Sequence, residues 1–232
     1  MTAFQGLQRG RYIGAMTRRH DPAWAWMIGA FVGGLTLSVA VLAGYGIGPD
    51  GLRRGVFVTA RWSFLFFWLS YTGGAIAILF GPAFAGLARQ ARALGLAFAT
   101  ALQFHIGLVV WLGVEIGQIP LQGRVFWFFL VALFFAYLLV LLSFGIGMGN
   151  LGRLWRPLLL LATTYILIAF GRDFVLGALY LDVRHWLLFV EYVPFALLSL
   201  IAIPLRLAAF LRQRVELLPV STKPARRTLA DR

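Results

Sequence analysis

The sequence predicts an all-α integral membrane protein, a bundle of about six transmembrane helices with both termini in the cytoplasm. Three observations predict it. Of 232 residues, 61% are hydrophobic and 12% charged, more apolar surface than a soluble domain of this size can hide. The apolar residues gather into six runs of about 20 or more, enough to cross a hydrocarbon core of about 30 Å at about 1.5 Å per residue. Basic residues then favour alternate connections between the runs. Inside a bilayer every backbone N–H and C=O must be paired within the protein, so such runs read as helices.

The first run covers 23–47. It is too long for the apolar region of a cleavable signal peptide, and no small-residue cleavage site follows it. The second, 57–81, lies between the breakers Gly48-Pro49-Asp50-Gly51 and Gly81-Pro82. The third, 94–117, ends at Gly117-Gln118-Ile119-Pro120, and the fourth, 125–148, ends at Gly149-Asn150-Leu151-Gly152. The fifth, 154–174, and the sixth, 186–211, flank a break at 177–182. Pro194 and Pro204 should kink the sixth helix. Short connections make sequential helices antiparallel neighbours in one bundle. The chain therefore divides into a cytoplasmic segment 1–22, a six-helix domain 23–212 and a basic tail 213–232. No loop is long enough to hold a nucleotide- or flavin-binding domain.

A formal net charge of +13 would suggest nucleic acid for a soluble protein. Here it reads as topology. The side that carries the termini, the second loop and the fourth loop holds all the basic residues except six: Arg53, Arg54, Arg61, Arg124, Arg172 and Arg184. The positive-inside rule places that side in the cytoplasm of a bacterial inner membrane. The partners expected are the lipid bilayer and another membrane or periplasmic protein, with no nucleic acid. The absence of cysteine excludes a disulfide framework and a thiolate-linked cofactor.

Candidate chemistry begins at His105, alone near the middle of the third run. An imidazole at that depth is costly and needs a partner or a task. Imidazole is also a common axial ligand of haem iron. The other reading is a histidine inside the bundle, donating to a carbonyl or hydroxyl of a neighbouring helix. Arg172-Asp173 ends the fifth run, and Glu191 and Tyr192 lie at similar depth in the sixth. Pairing of Arg61 or Arg172 with Glu191 or Asp173 would pin helices together; the same arginines could clamp an anionic group. Aromatic residues crowd the second and fourth runs and read as lipid-facing bulk. Gly29 and Gly33 form a small-xxx-small pair suited to close packing.

From about Arg61 to Phe174 the chain resembles the ferric-reductase-like transmembrane domain family. The resemblance rests on Thr59-Ala60-Arg61-Trp62, on the stretch from Leu87 to Leu96 with Arg-x-x-x-Gly inside it, on His105, and on Leu151-Gly152-Arg153-Leu154-Trp155-Arg156. It implies a six-helix fold that passes electrons between haems. It implies that His105 is a haem ligand, and that Arg61 and Arg172 contact propionates or another anion. The family's fifth helix carries two further histidines; the corresponding neighbourhoods here, near Leu159 and Arg172, contain none. His20 and His185 belong to opposite sides of the membrane, about 15 Å from mid-depth. The resemblance thus supports at most one b-type haem on His105, with Met148 or a partner residue as a second ligand, in a redox membrane subunit. Two alternatives are a haem-free structural or assembly subunit of a larger membrane complex and a small transporter. No catalytic motif of its own is present, so the chain is at most the redox subunit of an enzyme.

Overall fold

A computed structural model describes residues 23–144, 154–180 and 186–216. His20, Met148, Arg184, His185, the 151–153 part of the Leu-Gly signature, the N-terminal segment and the tail beyond 216 lie outside the described residues. Six helices are long and apolar enough to cross a membrane: α1 (Ala23–Tyr45), α2 (Pro49–Phe80), α3 (Ala85–Glu115), α4 (Gly123–Ser143), α5 (Trp155–Tyr180) and α6 (Trp186–Glu216). A short 3-10 turn, Pro82–Phe84, joins α2 to α3.

Two helices start well before their apolar runs. Pro49 supplies the fixed φ of a first helical position, so α2 begins there and carries Asp50, Arg53 and Arg54 inside its first turns. Likewise α3 includes Arg89 and Arg92. The apolar criterion misses these turns because they extend beyond the hydrocarbon, where charge costs little. At 32 residues α2 is about 48 Å long, well over a hydrocarbon thickness. Glycines close the turns: Gly46, at φ 84°, reverses the chain between α1 and α2, and Gly81, at φ 94°, stops α2 before Pro82.

Sequential helices pack as neighbours, as short connections require, and α2 is the hub. It packs most extensively against α3, and also against α6 and α1. Contacts fix the two ends of the bundle. At one end, called proximal here, Trp26 Nε1 of α1 donates to Gln90 Oε1 of α3 at 2.5 Å. There too Arg92 donates to the carbonyl of Ser143 at 2.8 Å, and Arg212 to that of Leu79 at 2.9 Å. These arginines satisfy last-turn carbonyls of α4 and α2, where a cation also meets the negative end of the helix dipole. The distal end holds the α1–α2 turn and the first turns of α2 and α6.

The core is built from the rings assigned to lipid on sequence grounds. Phe64, Phe66 and Phe67 of α2 are 0%, 8% and 3% exposed. Phe64 and Phe67 meet Phe98 of α3, Phe170 and Phe174 of α5, and Phe195 of α6, with ring centroids 4.9–6.1 Å apart, while Phe66 packs edge-on against Trp26 and Trp62. The correction has a simple cause. A central helix touches neighbours on several sides, so its bulk packs inward, whereas peripheral α4 leaves Trp127 and Phe134 exposed. On α1 the buried stripe is Ala23, Ala30, Gly34 and Ser38. Gly33 lies against the ring of Trp62 and Gly34 against that of Phe104, but Gly29 has nothing within 4 Å. The close-packed pair is therefore Gly33 and Gly34, not Gly29 and Gly33.

Candidate functional site

The polar residues of the distal half fall on two faces of α2. One face meets α3. His105 Nδ1 lies 3.1 Å from the carbonyl oxygen of Val56. A carbonyl can only accept, so Nδ1 carries the proton and Nε2 keeps its lone pair. Around this contact, Thr59 is fully buried and donates to the carbonyl of Gly55 at 2.8 Å, while Leu108 packs over Gly55. Leu52, Leu108 and Leu112 close an apolar cluster beyond it. His105 thus ties α3 to the α2 backbone.

The other face meets α5 and α6. Arg54 forms a two-pronged ion pair with Glu191 of α6; the Nη1–Oε2 bond is 2.9 Å, and Nη2 pairs with Oε1. Arg61 lies two turns further along the same face and is 8% exposed. Its Nε donates to the carbonyl of Glu191 at 3.2 Å and its Nη1 to that of Phe57 at 2.8 Å. Four rings surround the guanidinium. Its Cζ lies 3.1 Å from the ring centroid of Phe57, 4.5 Å from Tyr192, and 5.3 Å from both Phe174 and Phe195. Each such contact contributes roughly 0.5–2 kcal/mol, which helps offset the desolvation of a buried cation. One nitrogen, Nη2, is buried without a hydrogen-bond partner among the described residues.

Pro194 lies one turn beyond this contact in α6. Proline has no N–H to give the carbonyl four residues back, so it is the Val190 carbonyl that loses its helical donor; the Glu191 carbonyl that Arg61 uses is one residue further on. Gly177 of α5 leaves room for the ring of Tyr192.

The expected pairing of Arg61 or Arg172 with Glu191 or Asp173 is therefore corrected. Glu191 is hydrogen-bonded by Arg54, Arg61 bonds only its backbone, and Arg61 and Arg172 act on Asp173 through space without an ion-pair contact. Arg172 is half-buried, and neither it nor Asp173 forms a hydrogen bond or ion pair among the described residues. Arg54 was missed because it was grouped with loop charges. Its spacing of seven from Arg61 was the available signal, since residues two turns apart share a face. Gln103 pairs outward, accepting from Tyr137 of α4 at 2.9 Å, and so is no partner for His105.

A haem pair spanning α3 and α5 does not fit these residues. Leu159, near one expected ligand position, is 37% exposed, and Arg172 occupies the other. Between the two helices Phe98 and Phe170 meet directly, 6.2 Å apart, and both contact Phe67. Among the described residues no three His, Cys, Asp or Glu side chains gather as metal ligands. The fold and the site define a polytopic membrane protein whose polar side chains divide between bonds to their own helix and bonds that join helix to helix. No family model, curated protein or solved structure matches the chain.

Proposed function

We propose that this protein is a haem-free structural or assembly subunit of a larger membrane complex, on a scaffold resembling the ferric-reductase-like domain. The observation that supports the reading best is the phenylalanine core. Phe67, Phe98 and Phe170 pack against one another where α3 approaches α5, two turns from His105, which supports a filled interior. His105, Arg54 and Arg61 then serve as cross-helix pins in place of ligands. The excess of arginine at the proximal end supports cytoplasmic termini in a bacterial inner membrane.

One experiment with a C-terminal tag tests assembly and orientation together. In mild detergent the tagged protein should migrate well above its 25.8 kDa mass plus micelle, with a co-purifying membrane or periplasmic protein. The tag should be cleaved by protease only in inside-out vesicles. Migration as a lone chain would contradict the assembly role, and cleavage in right-side-out vesicles the orientation.

A second reading is favoured by one observation. With Nδ1–H donated to Val56, His105 presents the Nε2 lone pair that metal-ligating histidines use, their other nitrogen commonly bound to a carbonyl. On that reading His105 would hold one b-type haem, with Arg61 and Arg172 as propionate contacts. The haem would supply single-electron transfer to a partner.

A further inference from the structure

The distal end of α5 carries charges that no hydrogen bond or ion pair among the described residues completes, although Arg61 and Arg172 lie within electrostatic reach of Asp173. Asp173 is exposed on the helix surface and has no hydrogen bond or ion pair among the described residues. Arg172 beside it has none either. The next residue, Phe174, is fully buried and lies under the guanidinium of Arg61, whose Nη2 is buried without a partner. Glu191 does not neutralise the set, because Arg54 already takes both its oxygens.

Depth identifies what can complete them. Asp173 lies seven residues before the end of α5, about 10 Å along the helix. The 26 residues of α5 span about 39 Å against about 30 Å of hydrocarbon. With the excess shared equally between its ends, Asp173 sits about 6 Å inside the hydrocarbon boundary, where an arginine side chain or a lipid headgroup drawn inward spans the gap. A carboxylate there that has nearby cations but no hydrogen-bond donor is costly unless something donates to it.

We infer that Asp173, Arg172 and Arg61 form a binding site for a zwitterionic aminophospholipid of the distal leaflet. The primary ammonium pairs with the Asp173 carboxylate. The phosphate accepts from Arg172 and, once it enters between α5 and α6, from the free Nη2 of Arg61. One headgroup drawn slightly inward thereby satisfies a donor-poor anion and two acceptor-poor cations. A purely anionic lipid leaves Asp173 unpaired. A choline lipid has no N–H to donate to it.

The test uses the full-length protein in nanodiscs containing equal parts phosphatidylglycerol and either phosphatidylethanolamine or phosphatidylcholine. The unfolding midpoint should be about 2–4 °C higher with phosphatidylethanolamine, the shift that about 1 kcal/mol gives a chain of this size. Asp173→Asn, a near-isosteric change at an exposed position, should abolish that difference, and Arg172→Gln should reduce it. Native mass spectrometry should show one phosphatidylethanolamine retained by the wild type and lost in Asp173→Asn. No difference between the lipids, or a difference that survives Asp173→Asn, would overturn the site. A photo-crosslinker at Leu176, one turn along α5, should label lipid. Labelling of a polypeptide instead would assign Asp173 to a protein partner and overturn the lipid reading.

Discussion

The distal arginines show how burial decides what an ion pair contributes. Arg53–Asp50 and Arg54–Glu191 are one residue apart on α2, yet their surroundings differ. The side chains of the first pair are 63% and 94% exposed, those of the second 28% and 32%. An exposed i,i+3 pair is largely screened and costs side-chain entropy to hold. The second is two-pronged, crosses between helices, and has Phe57 packed against Arg54 with Cζ 5.0 Å from its ring centroid. A double-mutant cycle with Arg54→Gln and Glu191→Gln should give a coupling of about 1–2 kcal/mol, and the Arg53/Asp50 cycle about 0–0.5 kcal/mol. Reversible unfolding in mixed micelles measures both; equal couplings would contradict the burial argument. At this scale the sequence was half legible. The type of interaction was readable, since a membrane protein rarely leaves His105, Arg61 or Glu191 idle. The partners were not, because pairing depends on the rotation of α2 against α6, and composition carries no record of it.

Helices α1 and α2 differ in what they place at their contacts. For α1 the hydrophobic faces are nearly uniform, so only small residues mark the side that docks. Gly34 faces Phe104, where a Cβ would come within 2.7 Å of the ring, and Gly29 faces open space. Gly34→Ala should therefore cost about 1–3 kcal/mol by overpacking, despite the better helix propensity of alanine. Gly29→Ala should be neutral or stabilise by up to about 1 kcal/mol. The same unfolding measurement checks the pair; a greater loss at Gly29 would reverse the assignment of the docking face. Helix existence was readable throughout, because six long apolar runs leave little choice. Faces were not. A helix that is apolar all round has almost no periodicity, so the inward rings of α2 resembled lipid-facing bulk. Helix starts at Pro49 and Ala85 were also hidden, since their first turns are charged.

The whole molecule is a hub-and-neighbour bundle, with α2 contacting helices before and after it in the chain. Its interior is filled from α2 by Phe64, Phe66 and Phe67, and at the distal end His105, Arg54 and Arg61 tie α2 to α3 and α6. The resemblance to a haem-bearing frame rests on His105 and the arginines near it, while the ring contacts between α3 and α5 support a scaffold without the cofactor. That contrast could not be drawn from the sequence, because whether phenylalanines face each other or the lipid is settled only by helix rotation. Absorbance of the protein purified after expression with haem supplied tests the scaffold reading most directly. The packed core predicts no Soret band, and no spectral difference between wild type and His105→Ala. A stoichiometric Soret band that His105→Ala removes would contradict it and establish the single-haem reading instead.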